Sequence, residues 1–136
     1  MQVRELMTTR IVSVAPLSTV KDAALLMNKH NIGSVPVVED GAVRGMLTDR
    51  DIVLRCVAEG KDSNKIKVNE ICSSGAISVR STQSIKDAMH VMSTEQVRRL
   101  PVVDDGKIIG MLSIADIARE KSGMELAESI SEISMP

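Results

Sequence analysis

Gly45-Met46-Leu47-Thr48-Asp49-Arg50-Asp51 decides how this chain is read, because it returns sixty-five residues later as Gly110-Met111-Leu112-Ser113-Ile114-Ala115-Asp116. In both copies a glycine opens a short apolar strand. The strand ends on a hydroxyl residue, and an aspartate follows three positions on. A Thr or Ser at a strand end caps the next helix by accepting from a backbone N–H of its first turn. A carboxylate in that first turn sits well with the helix dipole. Taken alone, each copy is a strand-to-helix junction. Recurring in register, the paired hydroxyl and carboxylate also make a set of groups suited to the two hydroxyls of a ribose.

Working outward, residues 3–53 align with residues 68–118 without a gap. The identities include Val3/Val68, Glu5/Glu70, Val14/Val79, Asp22/Asp87, Met27/Met92, Pro36/Pro101, Val38/Val103, Gly41/Gly106 and Ile52/Ile117. Two copies of one supersecondary unit account for this pattern, and two are too few for a solenoid. They are expected to pack face to face about a pseudo-twofold axis. The expected organisation is a first repeat at 1–60, a linker at 61–67, a second repeat at 68–121 and a tail at 122–136.

Each repeat opens with a helical turn, Val3–Met7 and Val68–Cys72, then a brief extended piece, Ile11–Val14 and Ile77–Val79. Ser18 and Ser84 read as N-caps. After them Val20, Ala23, Ala24 and Met27, and likewise Ile85, Ala88, Met89 and Met92, fall at helical spacing. The first helix is expected to end near Asn31-Ile32-Gly33, with the glycine as its C-terminal cap, and the second near Glu95-Gln96. Hairpins follow, Val35–Glu39 to Val43–Leu47 and Leu100–Asp104 to Ile108–Leu112, each turning on Asp-Gly. Pro36 and Pro101 cannot donate to a ladder, which puts them at strand starts or on an edge. Helices Arg50–Ala58 and Ala115–Glu120 close the repeats. In the tail, Met124, Ala127, Ile130 and Ile133 keep helical spacing, which reads as a third helix docked on the module or offered to a partner.

The 136 residues amount to about one domain, and 43% of them are hydrophobic. There is no Phe, Tyr or Trp, so aliphatic side chains and nine Met must fill the core. The formal net charge of −1 advertises neither nucleic acid nor anionic lipid. No apolar run approaches a membrane span, and the N-terminus shows no signal-peptide pattern. A cytoplasmic protein is the expectation. Cys56 and Cys72, with His30 and His90, have no zinc spacing. Two reduced thiols are expected, with a Cys56–Cys72 disulfide as the alternative.

No nucleophile–base–orienter set is visible, because His30 and His90 have no counterparts across the repeat and no nucleophile nearby in sequence. Walker, Gly-x-Gly-x-x-Gly and metal motifs are absent. No catalytic residue and no metal ligand is assigned. Thr48/Asp51 and Ser113/Asp116 stand apart because they recur in register. Basic groups are asymmetric: Arg98-Arg99 precedes Leu100-Pro101, where the first copy has Gly33-Ser34. Guanidinium matches phosphate oxygens well, against the plainer reading of two solvated arginines. Arg50, replaced by Ala115 in the second copy, is a further candidate for phosphate.

The repeat resembles a pair of CBS domains, the Bateman module. Ile32-Gly33-Ser34-Val35-Pro36-Val37-Val38 with Gly45–Asp51, and Val97-Arg98-Arg99-Leu100-Pro101-Val102-Val103 with Gly110–Asp116, carry the resemblance, which covers residues 1–121. The chain is similar to the small stand-alone bacterial and archaeal CBS proteins, which have no catalytic domain. The resemblance implies an α+β fold of two pseudo-twofold-related βαββα repeats packed through their small sheets. It also implies two composite clefts for AMP, ADP, ATP or S-adenosylmethionine. One cleft would set Ser113 and Asp116 on the ribose, Val12, Ile32, Val35 and Pro36 around the base, and Arg98 and Arg99 near the phosphates. The other would set Thr48 and Asp51 on the ribose and Ile77, Val97, Leu100 and Pro101 around the base, with Arg99 in reach of its phosphate.

The function expected is a non-catalytic regulatory module that binds an adenine nucleotide and requires no cofactor. It is expected to form a homodimer through helices Ser18–His30 and Arg50–Ala58. The competing reading is a structural or interaction module with empty clefts that regulates a partner enzyme or transporter. An enzyme is the third reading, and the missing catalytic constellation speaks against it.

Overall fold

Both hairpins turn on Asp-Gly because their two-residue loops need positive φ at both central positions. Asp40 and Gly41 have φ of 52° and 79°, and Asp105 and Gly106 have 51° and 77°. In the computed structural model, which describes residues 1–75, 77–120 and Ile133, strand β1 (Ser34–Glu39) pairs antiparallel with β2 (Ala42–Thr48). Strand β4 (Arg99–Asp104) pairs in the same way with β5 (Lys107–Ser113). Each ladder shifts register once, after Val37 and after Val102, so the repeat holds down to its bulge.

The helices bury the faces read from sequence. Helix α2 (Val20–His30) buries Val20, Ala23 and Met27. Helix α4 (Ile85–Glu95) buries Ile85, Ala88, Met89 and Met92. The first N-cap is Thr19, not Ser18: Thr19 Oγ1 accepts from Asp22 N at 3.1 Å, as Ser84 Oγ accepts from Asp87 N at 3.0 Å. Thr19 is also the residue sixty-five before Ser84. The first C-cap is Asn31, not Gly33. Asn31 adopts the left-handed conformation at φ 52°, as does Gln96 at φ 55°. Ile32 N then bonds to Met27 O at 3.0 Å and Val97 N to Met92 O at 3.1 Å, closing both helices in a Schellman pattern.

The chain forms two compact units, residues 12–76 and residues 1–11 with 77–136. These units do not follow the sequence repeats, because the opening turn of each repeat completes the core that the other repeat begins. Helix α1 (Val3–Leu6) places Val3 in a core with Ile85, Leu100 and Leu112. The 3₁₀ turn Val68–Glu70 places Val68, and Ile71 just after it, in a core with Val20, Val35 and Leu47. Residues 61–67, expected to be a linker, dock on the start of α2: Val20 N donates to Ile66 O at 3.0 Å, and Ile66 is buried. The extended pieces are single parallel bridges, Val14 to Val37 and Val79 to Val102.

The glycines that open β2's and β5's apolar runs explain how the exchanged segments fit. Strand β3 (Ser73–Ser74), which the sequence did not suggest, pairs with β2 at Gly45 and Met46. A Cβ on Gly45 would lie 2.0 Å from Ser73 O. In the other unit Thr8 bridges to Met111, and a Cβ on Gly110 would lie 2.8 Å from Thr8 O. Gly-Met-Leu is therefore a docking strand for backbone from the other repeat. The expected tail helix falls outside the described residues, apart from Ile133, which is buried in the core of the second-repeat unit.

Candidate functional site

Both strand-to-helix junctions close in the same conformation. Thr48 and Ser113 have φ, ψ of −113°, 159° and −114°, 159°. Thr48 Oγ1 accepts from Asp51 N at 3.0 Å, and Asp51 Oδ2 accepts from Thr48 N at 2.9 Å. Ser113 Oγ accepts from Asp116 N at 3.1 Å, and Asp116 Oδ2 accepts from Ser113 N at 2.9 Å. These are capping boxes for α3 (Asp49–Ile52, which runs on into a π-turn over Val53–Val57) and α5 (Ile114–Ala118). One oxygen of each aspartate is thus committed to backbone, and the other is left for a further donor.

In each unit the residues just before the hairpin lie at this junction. Asp49 N donates to Gly33 O and Ile114 N to Arg98 O, both at 2.9 Å. In register, Ser34 stands opposite Thr48 and Arg99 opposite Ser113. The structure therefore sets Thr48 beside Gly33 and Ser34, with Ile32, Val35 and Pro36 flanking them in sequence. It likewise sets Ser113 beside Arg98 and Arg99, with Val97, Leu100 and Pro101 flanking them in sequence. Ile32 and Val97 are half-buried, held by the Schellman closures. Val35 and Leu100 belong to the cores. Strand alternation puts Pro36 and Pro101, both buried, on the opposite face. Their free carbonyls accept from Val14 N and Val79 N at 3.1 Å, which suits a residue with no N–H to offer. Val12 is half-buried beside its core, Ile77 is exposed, and Arg50 is exposed on the first turn of α3.

Each aspartate's second oxygen faces an arginine that the repeat comparison missed. Arg55 Nε stands 3.9 Å from Asp51 Oδ1, and Arg55 also donates to Ile71 O at 3.1 Å. Asp116 Oδ1 takes the guanidinium of Arg119. The two arginines are not repeat mates, since Arg55 corresponds to Glu120 and Arg119 to Leu54. Their signal was local instead, a basic residue three or four positions after the aspartate on one helix face. Cys72 adjoins the first junction: burial chiefly, and then the Asp51 carboxylate, push its thiol up from the ordinary value. Both cysteines stand as free thiols, Cys56 buried and Cys72 half-buried.

The junctions differ in the residues around them. A Cβ on Gly33 would meet Asp49 Oδ2 at 2.9 Å, so this carboxylate lies over the glycine. The second junction has Arg98 and Ile114 at these positions. Beside Gly33 and Asp49, an open cavity of about 370 Å³ lies between α2 and α3, lined also by Met27, Asn28, Asn31 and Ile32. Thr48 and Asp51 do not line it. Among the described residues, no three His, Cys, Asp or Glu side chains come together as metal ligands would. No described helix is long and apolar enough to cross a membrane.

The family model of the CBS domain matches residues 3–57 and 68–123. The chain belongs to the CBS-domain family. It is 42% identical over 127 residues to the CBS domain-containing protein YhcV of Bacillus subtilis, covering 93% of this chain and 90% of that protein. Among solved structures, Hypoxic Response Protein I with two coordinated zinc ions superposes with a TM-score of 0.83 at 35% identity, over 90% of this chain and 100% of that one. The CBS domain pair of MJ0100, in complex with 5′-methylthioadenosine and S-adenosyl-L-methionine, superposes with a TM-score of 0.76 at 26% identity, over 88% of this chain and 98% of that one. CBS pairs are regulatory modules, and no enzymatic family is indicated for this one.

Proposed function

We propose that this protein is a non-catalytic sensor that binds an adenosine-type ligand, AMP, ADP, ATP or a related adenosyl compound, through its two junctions. One observation carries the reading. In a CBS pair, two strand-end hydroxyl and carboxylate pairs recur in the same conformation, each with one carboxylate oxygen beyond the capping box. The MJ0100 pair, solved with two adenosyl ligands, lends it support. Asp51 and Asp116 would accept from ribose hydroxyls, with Thr48 and Ser113 beside them. Val12, Ile32, Val35, Pro36, Ile77, Val97, Leu100 and Pro101 would supply the apolar surroundings of the base. Arg98 and Arg99 would serve phosphates at the second junction, and Arg50 is the candidate cation at the first. A homodimer through α2 and α3 fits the exposure of Leu25, Val53, Leu54 and Val57. We place the protein in the cytoplasm.

The test uses the missing aromatics. A protein without Trp or Tyr barely absorbs near 280 nm, so a copurified adenine dominates the spectrum, and denaturation followed by chromatography names it. Calorimetric titration with AMP, ADP, ATP and S-adenosylmethionine is expected to show binding of at least one. Asp51→Asn and Asp116→Asn keep an acceptor for the capped N–H and remove the charge. Hydrogen bonds to charged groups contribute about 1.5–3 kcal/mol, so each variant is expected to lose about tenfold or more at its junction. Silence with all four ligands would leave the interaction module as the better reading. Unchanged affinity in both variants would move the ribose site elsewhere.

A further inference from the structure

We infer that the two junctions select ligands of different charge, with Asp49 and Gly33 setting the difference. The second junction takes the phosphate-bearing adenosyl ligand. The first takes one whose 5′ substituent is uncharged or cationic. This rests on the adenosyl reading above and adds a specificity determinant to it. The backbone of the two junctions is the same to within a degree at the capping residue, and each is tied to its preceding loop by a bond of 2.9 Å. Discrimination must therefore come from side chains.

At the second junction Arg98 and Arg99 stand beside Ser113, and α5 opens with the uncharged pair Ile114-Ala115. At the first, those positions are Gly33 and Ser34, and α3 opens with Asp49-Arg50-Asp51. Asp49 does more than remove a positive charge. Its Oδ2 lies 2.9 Å from the point where a Cβ of residue 33 would start, the space from which the Arg98 side chain grows in the other unit. Arg55 does not offset it, being engaged with Asp51 and Ile71 O. Arg50 remains as one cation on a turn that carries two carboxylates. Asp49 also lines the cavity between α2 and α3, with Asn28, Asn31, Met27 and Ile32. The Asp49 carboxylate over Gly33 would repel a phosphate at this junction and tolerate a thioether or a sulfonium. Like charges a few ångströms apart near a protein surface weaken binding by about tenfold or more.

The experiment titrates the full-length protein with AMP and, separately, with 5′-methylthioadenosine. AMP is expected to fill one site per chain at low concentration and the second at least about tenfold more weakly, while 5′-methylthioadenosine fills the first junction without that penalty. Asp49→Asn, which keeps the size of the side chain, is expected to bring the second AMP site within about threefold of the first. Gly33→Arg with Asp49→Ile, which copies the second junction into the first, is expected to give two AMP sites of like affinity. Two equal AMP sites in the wild type would overturn the inference. So would an Asp49→Asn protein that binds 5′-methylthioadenosine as before and shows no gain in AMP. No binding of either ligand to the wild type would remove the adenosyl reading itself, and this inference with it.

Discussion

Replacing Gly45 by Ala tests the idea that the repeated glycine exists to dock backbone from the other repeat. A Cβ at Gly45 would sit 2.0 Å from Ser73 O, and ordinary contact begins at 3.4 Å, so the β3 backbone must retreat by about 1.4 Å. No side-chain rotation relieves this, because the obstacle is a carbonyl. The retreat breaks the pairing of Gly45 with Ser74 and Met46 with Ser73, and the bond from Ser73 Oγ to Met46 O at 3.1 Å. Overpacking costs about 1–3 kcal/mol, and each hydrogen bond lost about 1 kcal/mol. Ala restricts the unfolded chain and returns roughly 0.4–1 kcal/mol. The net expected for Gly45→Ala is about 3 kcal/mol of destabilisation. Gly110→Ala is the internal control. Its Cβ would meet Thr8 O and Met7 Sδ at 2.8 Å each, so a smaller shift and a flexible thioether suffice, and about 1 kcal/mol is expected. Urea unfolding of the wild type and both variants reads the difference as a displaced midpoint at unchanged slope. A Gly45→Ala protein within about 0.5 kcal/mol of wild type, or no less stable than Gly110→Ala, would refute the docking explanation.

The capping hydroxyls have a structural role that needs no ligand, so Thr48→Ala and Ser113→Ala are each expected to cost about 1 kcal/mol in ligand-free protein, read by thermal melting. Asp104 accepts from Ser81 Oγ and from Ser81 N, and these bonds hold its carboxyl below the ordinary value. A depressed carboxyl stabilises the fold above its unfolded pKa, and the contribution is lost as pH falls through the lower folded value. Ser81→Ala should therefore flatten the acid limb of a stability-against-pH curve and leave the alkaline limb unchanged. Cys72, pushed up by burial and by Asp51, should react with a thiol-specific reagent at pH 8 more slowly than an unperturbed exposed thiol, and Asp51→Asn should speed it.

The repeat, the hairpins and the helix faces were legible because they rest on local chemistry. Asp-Gly needs only its own backbone to turn, and α2 and α4 show their buried faces through spacing alone. Even the misread cap was recoverable, since Thr19 is the strict repeat mate of Ser84. The grouping of segments into units was not legible. Val3 and Val68 look identical in sequence, and nothing local says that each completes the core its sister repeat begins. β3 escaped for the same reason: a two-residue Ser-Ser strand has no period, and only Gly45 hinted that a backbone passes close. At the junctions, Thr48/Asp51 and Ser113/Asp116 stood out because they repeat. Arg55, Arg119 and Asp49 did not, because a single charged residue on an exposed helical turn reads as an ordinary solvated group.

These residues also govern how readily each junction can engage a ligand on the proposed reading. A ribose must reach the aspartate oxygen that the capping box leaves over, and in each unit an arginine already faces it. Arg119 has a side chain 69% exposed and pairs with Asp116 on the same short helix. Exposed pairs of this kind contribute about 0–1 kcal/mol, so ribose hydroxyls displace it at little cost. Arg55, its side chain 56% exposed, stands 3.9 Å from Asp51 Oδ1 and donates to Ile71 O, in the segment that docks through β3. A ligand at Asp51 would therefore meet a guanidinium that also holds the exchanged segment. Freeing Asp116 disturbs only a side chain. On the proposed reading, a ligand would meet an arginine that also holds the exchanged segment at the first junction and one paired with Asp116 at the second, so the two arginines outside the repeat make the halves unequal.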